Sequence, residues 1–278
     1  MSSKRIGVVA PGTRIDPELG ERVRALAAQA YPLDAPEIVV HPQCYLSSGH
    51  FAGDDRARAD AFVHYANDPS FDAIWFARGG YGANRIAELV LPQLNDAARG
   101  KTYLGYSDGG FLLAGLYKAG FTVAHGPMPV DLTREGGAAA VKRALAWLVE
   151  RSPDALELTV SPEVQTAAFN IMILSNLLGT PLQPDLSGHV LMLEEIGEYM
   201  YRIDRSLFHI TSNPGIRKVA GIKLGRCSVV PRNEPDFVLN EEEVTQSWCK
   251  RAGIAYLGRA DIGHDIDNRV VPFGALKR

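Results

Sequence analysis

Strand-like apolar runs alternate with helix-like segments through the first half of the chain, and this alternation constrains the fold most strongly. The run at 5–11 is apolar almost throughout, as is typical of a strand buried on both faces. Helix-like segments follow at 17–31 and 55–68, with another short strand-like run between them. Two later repeats, at 72–90 and 103–120, place a glycine-rich turn between strand and helix. The pattern predicts an α/β fold with a mostly parallel sheet covered by helices.

The pattern changes at residues 151–168, where short β-prone pieces and two prolines interrupt it. We interpret this stretch as a linker between an N-terminal α/β domain, 1–150, and a smaller C-terminal α/β domain, 169–278. The second domain begins with a helix-like segment at 169–179, and a strand-like run follows at 189–197. Ligands of parallel sheets bind at the carboxyl ends of the strands. Both glycine-rich turns therefore fall where a site is expected.

Composition excludes several classes of function. The 278-residue chain has a net charge of −3, which predicts no general attraction to nucleic acid or to an anionic membrane. Its three cysteines are far apart and form no C-x-x-C pair, so a zinc knuckle and a dithiol motif are excluded and a reducing compartment is expected. No stretch reaches the roughly 18 apolar residues of a membrane span. We expect a cytoplasmic protein.

Ser107 stands on a sharp turn between a β-prone run and an apolar helix-like segment, in the sequence G-Y-S-D-G. Gly105 and Gly109 relieve the steric cost of such a turn. A serine displayed in this way exposes its hydroxyl and faces the first amides of the helix, as a catalytic nucleophile requires. The alternative is that Ser107 or Asp108 only caps the helix.

The stretch A-R-G-G-Y-G-A-N at 77–84 is a second glycine-rich turn after a strand. Bare backbone amides in such a turn can approach a phosphate or an oxyanion. The stretch lacks the ending of a Walker A loop and the spacing of a dinucleotide fingerprint, which argues against a nucleotide cofactor. A tight turn that needs positive φ angles explains it equally well.

A serine nucleophile needs a base, and a histidine base needs an acid to fix its tautomer. His264 lies beside glycine in a loop-like stretch, whereas His64 and His209 lie in helix-like segments. Glu194 and Glu195 end an apolar strand, where carboxylates are costly unless they are paired. Strand alternation sends these two to opposite faces, so one of them is expected to reach the site.

A metal is the competing use of such residues. Asp261, Asp265 and Asp267 surround His264 in the sequence and resemble a ligand set. The chain contains no H-E-x-x-H, no carboxylate-rich calcium loop and no cysteine pair. We expect no metal and no cofactor.

In order along the chain, these stretches resemble the serine peptidases of the LD-carboxypeptidase family, the murein tetrapeptide carboxypeptidases. The resemblance covers nearly the whole chain. It runs through A-P-G near the start, A-R-G-G-Y-G-A-N-R, G-Y-S-D, H-G-P-M at 125–128, L-L-G-T-P at 177–181, L-M-L-E-E-I-G-E-Y-M-Y-R-I-D-R at 191–205 and G-H-D at 263–265. Their common order and spacing make the match specific.

The resemblance implies a Ser-His-Glu triad made of Ser107, His264 and Glu194. The amides of Gly80 and Asp108 would correspond to the oxyanion hole. The implied reaction releases terminal D-alanine from a murein tetrapeptide by hydrolysis of an L,D-amide bond, as part of cell-wall recycling. The family resemblance also implies a homodimer.

A substrate with several carboxylates calls for arginine, whose planar fork binds carboxylates in bidentate fashion. Arg78, Arg202 and Arg205 are the candidates, and Arg202 or Arg205 would serve equally well in a structural ion pair. The chain departs from the family where Ala168 and Phe169 replace a glycine pair before Asn170, and we expect Phe169 to narrow the pocket.

Two other functions stay open on the sequence. The first is a related serine hydrolase that cleaves peptidyl- or aminoacyl-adenylate amides, which would need an aromatic surface to stack the base. The second is a non-enzymatic anion-binding protein that uses 77–84 as an amide cradle, which would leave the ordered serine, glutamate and histidine unexplained.

Overall fold

The computed structural model describes residues 3–276, which contain ten strands and nine α-helices. The strands β1 to β10 are Arg5–Val9, Glu37–Val40, Ala73–Phe76, Thr102–Gly105, Thr122–His125, Thr166–Asn170, Val190–Ile196, Gly221–Ser228, Tyr256–Arg259 and Val271–Pro272. The helices α1 to α9 are Pro17–Ala30, Asp55–Asn67, Ala83–Val90, Asp96–Arg99, Gly110–Lys118, Ala138–Glu150, Ile171–Leu177, Met200–Ser212 and Glu241–Ala252.

The first sheet has the strand order β10-β5-β4-β3-β1-β2. Strands β1 to β5 are parallel, and β10 joins the edge of β5 in antiparallel orientation. The predicted parallel sheet with helices is therefore confirmed. The sequence pattern did not predict that a strand from the far end of the chain would complete this sheet.

The second, smaller sheet is parallel, with the order β6-β7-β8-β9. Its first strand begins at Thr166, within the stretch interpreted as a linker. The helix expected from Phe169 begins at Ile171, because Phe169 and Asn170 are the last residues of β6. The Asn170 side chain caps this helix by accepting a hydrogen bond from Ile173 N at 3.1 Å.

The two sheets share one hydrophobic core. Phe111 of α5, Phe169 of β6 and Leu193 of β7 are buried in the same cluster of apolar side chains. The segment after β10 also joins the sheets, because Gly274 exchanges two backbone hydrogen bonds with Thr166. The shared cluster and these backbone bonds fix the two sheets relative to each other.

Candidate active site

The serine turn follows β4 directly. Ser107 has φ +58°, a left-handed conformation that costs a non-glycine residue about 1–3 kcal/mol. A Cβ on Gly105 or on Gly109 would lie 2.5 or 2.8 Å from the ring of Phe76, so both positions require glycine for close packing. The expected strand, sharp turn and helix are present, and the serine stands at the strained position.

The glycine-rich turn lies directly against the serine turn. A Cβ on Gly79 would lie 2.8 Å from Ser107 Cβ and 3.0 Å from its Oγ. Gly80 has φ +85°. Gly12 packs so closely against it that a Cβ on Gly12 would lie 2.1 Å from the carbonyl oxygen of Gly80. The backbone of the turn therefore reaches the serine with no side chain between them.

Asp108 connects these two turns through its side chain. Its Oδ2 accepts hydrogen bonds from Gly82 N at 3.0 Å and Ala83 N at 2.9 Å, at the start of α3. Burial raises the pKa of Asp108, although the two amide donors oppose the rise. The sequence predicted an oxyanion-hole amide for Asp108, with a cap on the following helix as the alternative. Within residues 3–276 no side chain caps α5, and the Asp108 carboxylate binds the start of α3 instead, which adds a second link between the turns.

Arg58 is a residue of this region that the sequence reasoning missed. Its side chain is fully buried, and its Nη1 donates to the carbonyl oxygens of Pro11 and Gly82, the latter at 2.8 Å. The guanidinium pairs with Asp55 and lies 4.6 Å from the ring centre of Phe51. One cation thus holds the carbonyls of two loops beside the serine turn.

His264 and Glu194 form a buried pair. His264 Nδ1 lies 2.5 Å from Glu194 Oε2, and the two side chains are 7% and 0% exposed. Burial lowers the pKa of His264, but the charge and hydrogen bond of Glu194 outweigh burial and leave the pKa above its ordinary value. Because the carboxylate accepts the Nδ1 proton, Nε2 of the neutral ring is left as a proton acceptor.

Tyr106 brings the histidine close to the serine turn. Its ring centre lies 4.8 Å from that of His264, and its hydroxyl donates to Asp131 Oδ1 at 2.8 Å. Ser107 is the next residue along the chain. His264 Nε2 is buried and has no hydrogen-bond partner among residues 3–276, so it forms no bond to Ser107 Oγ in this structure.

Glu195 has a different environment from its neighbour. Its oxygens accept hydrogen bonds from Asn170 Nδ2 at 2.6 Å, Ile196 N at 2.8 Å and Met172 N at 2.9 Å. Burial raises the pKa of Glu195 to about 7. The two carboxylates do have different contacts, and Glu194 is the one that reaches His264.

The three predicted substrate-binding arginines lie in two places. Arg78 follows β3 beside the glycine-rich turn, where it donates to a backbone carbonyl at 3.2 Å. Arg202 and Arg205 lie on the exposed face of α8, along a groove of about 440 Å³ between α7 and α8. Arg202 pairs with Glu198 at 3.6 Å, and Arg205 lies 5.4 Å from the ring centre of Tyr201. Their role as ligand contacts stays a prediction.

The ring of Phe169 points into the core. It is 1% exposed, lies 5.1 Å from the ring centre of Phe273 and packs against Gly110 of α5. Ala168 is buried as well. The expectation that Phe169 narrows a ligand pocket is therefore not supported, because its ring has no ligand-facing surface in this structure.

Two of the three carboxylates near His264 pair with arginines. Asp261 and Asp265 both pair with Arg226, and Asp261 also pairs with Arg269 at 2.8 Å. Among residues 3–276 no cluster of three or more histidine, cysteine, aspartate or glutamate side chains is arranged to hold a metal ion. In the same part of the chain, every helix is too short or too polar to cross a bilayer.

Two family models match the sequence. The LD-carboxypeptidase N-terminal domain matches residues 6–126, and the LD-carboxypeptidase C-terminal domain matches residues 166–278. The murein tetrapeptide carboxypeptidase of Pseudomonas aeruginosa is 29% identical over an alignment of 233 positions that covers 76% of this chain and 74% of that protein.

Solved structures share the fold along the whole chain. A muramoyltetrapeptide carboxypeptidase from Oxalobacter formigenes has a TM-score of 0.80 at 24% identity, covering 96% of this chain and 93% of that one. The structure of MccF in complex with glutamyl sulfamoyl guanosine has a TM-score of 0.78 at 17% identity, covering 99% and 97%.

These matches define the class of the protein as a serine-type carboxypeptidase hydrolase. The chain belongs to the LD-carboxypeptidase family, because the two domain models of that family together cover most of the sequence.

Proposed function

We propose that this protein hydrolyses the L,D-amide bond that precedes terminal D-alanine in murein tetrapeptide, with Ser107 as nucleophile, His264 as base and Glu194 as the orienting acid. The observation that carries the proposal is the buried His264–Glu194 pair at 2.5 Å next to a serine with φ +58°. The name of the Pseudomonas aeruginosa relative supports the choice of substrate.

The geometry supports a two-step reaction. His264 Nε2 takes the proton from Ser107 Oγ as the serine attacks the peptide carbonyl, and the amides of Gly80 and Asp108 stabilise the oxyanion. Protonated His264 then gives its proton to the leaving amine of D-alanine, and water hydrolyses the acyl-enzyme. Glu194 stabilises the imidazolium throughout. Ser107 Oγ and His264 Nε2 form no hydrogen bond in this structure. We expect the Ser107 side chain to rotate when substrate binds, so that the two atoms come within hydrogen-bond distance.

The remaining features of the proposal concern the setting of the enzyme. It acts in the cytoplasm in cell-wall recycling, as a homodimer and without a cofactor. Arg78, next to the glycine-rich turn, binds a substrate carboxylate, and Arg78→Met is expected to raise KM more than it lowers kcat. Arg202 and Arg205 are further carboxylate contacts in the groove beside α8.

One observation favours a second candidate, the cleavage of aminoacyl-adenylate amides. Tyr81, directly after Gly80, is 49% exposed, and its ring centre lies 6.2 Å from that of His50 and 6.0 Å from that of Phe51. These rings form an aromatic surface beside the glycine-rich turn, where a nucleobase can stack. The MccF structure with glutamyl sulfamoyl guanosine has the same fold.

The test incubates the purified protein, with a chelator present, with L-Ala-D-Glu-meso-diaminopimelate-D-Ala and detects free D-alanine by mass spectrometry. We expect release by the wild type and a loss of about 10⁵- to 10⁶-fold in Ser107→Ala. Equal release by both proteins would contradict the serine mechanism. If the wild type releases no D-alanine but cleaves an aminoacyl sulfamoyl adenosine, the second function replaces the first.

A further inference from the structure

The loop that carries His264 is held from both halves of the molecule. On one side, Arg226 of β8 binds the Asp265 carboxylate with two nitrogens. On the other side, Arg143 of α6 donates from Nη1 to the carbonyl oxygens of Asn268 at 2.7 Å and Ile266 at 3.1 Å. The loop therefore bridges the sheet that bears Ser107 and the sheet that bears Glu194.

Inside this loop, the uncharged side chain of Asn268 accepts two hydrogen bonds. Its Oδ1 accepts hydrogen bonds from Gly263 N and from His125 Nε2, both at 3.2 Å, and it is fully buried. A backbone N–H can only donate, so the bond from Gly263 fixes which amide atom is the oxygen. His125 Nε2 must then carry a hydrogen. Asn268 Nδ2 is buried without a partner among residues 3–276, so its oxygen is the functional half of the amide.

His125 ends β5, beside Gly105 of β4, and is 1% exposed. Its ring centre lies 5.4 Å from that of Tyr106, which in turn lies 4.8 Å from that of His264. The two histidines thus flank the residue that precedes Ser107. Burial lowers the pKa of His125 to about 4, which keeps this ring neutral and its Nε2–H available to Asn268 near neutral pH.

We propose that Asn268 and His125 are positioning residues that fix the Gly263–His264 backbone over the serine turn through one shared acceptor, Asn268 Oδ1. The inference rests on the proposed roles of Ser107 and His264. An amide supplies the acceptor without adding a second negative charge next to the Glu194–His264 pair. Neither residue contacts the reacting atoms; they set where His264 stands.

The test compares variants that keep or remove this hydrogen bond. His125→Gln keeps a side-chain N–H donor, and His125→Phe keeps a ring without one; Asn268→Leu removes the acceptor. His189→Phe is the matched control, because His189 is also buried and also has a single side-chain bond to Nε2, from Tyr117. The readout is the rate at which a fluorophosphonate probe labels Ser107 at pH 8, together with kcat and KM for the tetrapeptide and Tm for every variant.

We expect His125→Phe and Asn268→Leu to lower the labelling rate and kcat by about 10- to 100-fold with KM within about twofold, since a displacement near 1 Å is enough for such losses. His125→Gln and His189→Phe are expected to stay within about threefold of the wild type. If either His125→Phe or Asn268→Leu does not fold, the other variant decides. Phe and Leu variants as fast as the control would overturn the proposal, and so would a Gln variant as slow as the Phe and Leu variants. Because the probe does not depend on the peptide, a wrong substrate assignment would leave these labelling differences intact.

Discussion

The serine turn and the histidine loop are held in place by different kinds of force. Around Ser107, glycines let backbone pack on backbone and on Phe76 at distances that no side chain would permit. Around His264, the loop is held mainly by polar side chains, including Arg226, Arg143 and Asn268. The first region should therefore be sensitive to added volume, and the second to lost charge or lost hydrogen bonds.

The difference matters because the two regions must meet to within a few tenths of an ångström. Close-packed backbone transmits displacement directly and tolerates little change in volume. Ion pairs that are half-buried, as those of Arg226 are, contribute modest stability but fix direction through bidentate geometry. Steric fit positions Ser107, and polar bonds position His264.

The largest effect is expected from the carboxylate that orients the base. Glu194→Gln removes the charge opposite His264 Nδ1 and allows the wrong tautomer, so kcat should fall by about 10³- to 10⁴-fold in a steady-state assay. Glu88→Gln is the control, because it also neutralises a glutamate but on the exposed face of α3. Equal losses in the two variants would mean that Glu194 has no special role.

The steric side of the comparison is tested at Gly79. Gly79→Ala would place a Cβ 2.8 Å from Ser107 Cβ, so the turns must separate, and kcat should fall by about 100-fold. Gly100→Ala is the matched control, because the nearest atom to its new Cβ is 3.8 Å away and its φ is ordinary. Full activity in Gly79→Ala would show that the serine turn tolerates volume and that the comparison is wrong.

A smaller loss is expected from the polar side. Arg226→Gln breaks the pairs with Asp265 and Asp261 and loosens the loop, which should lower kcat about tenfold with little change in Tm. Arg24→Gln provides the control, since it removes an exposed ion pair with Glu21 far from the site. Both variants are measured at low and high salt. The hypothesis fails if Arg226→Gln behaves like Arg24→Gln.

The smallest effect is a displacement of the pH profile. His264 must be neutral to act as base, and its pKa is raised above 6.5, so the acid limb of kcat/KM should have its midpoint above pH 6.5. The free energy of unfolding changes with pH in the opposite direction to the activity. The His264–Glu194 pair contributes fully to this free energy below the pKa of histidine in the unfolded chain, and the contribution is lost as pH rises through the pKa of His264 in the folded protein. A midpoint below 6.5 in the pH–rate profile would contradict the assignment.

Periodicity and turn chemistry predicted much of the fold because these signals are local. The alternation of apolar runs and helix-like segments anticipated the parallel sheet. The antiparallel pairing of β10 with β5 was missed because it joins residues about 150 apart, and no local pattern encodes such a partner. The start of α7 was placed two residues early because Phe169 and Asn170 suit either a strand or a helix.

The order of the motifs along the chain identified the candidate site residues. It did not identify the residues that hold them in position. Arg56 and Arg58 look alike in a polar helix, yet the first side chain is 87% exposed and the second is fully buried among carbonyl oxygens. Asn268 follows a run of aspartates and gave no signal of its own. Their roles depend on where distant backbone groups point, which only the folded chain reveals.

The late arrival of β10 has a consequence for how the protein is made. On a ribosome, β1 to β5 emerge first, and the edge of β5 has no neighbour until residues 271–272 have been synthesised. An unpaired strand edge is a template for intermolecular association, so the nascent N-terminal half is exposed to that hazard for the time it takes to add well over a hundred residues. The sheet that bears Ser107 therefore gains its last strand only at the end of synthesis, from the segment that follows the His264 loop.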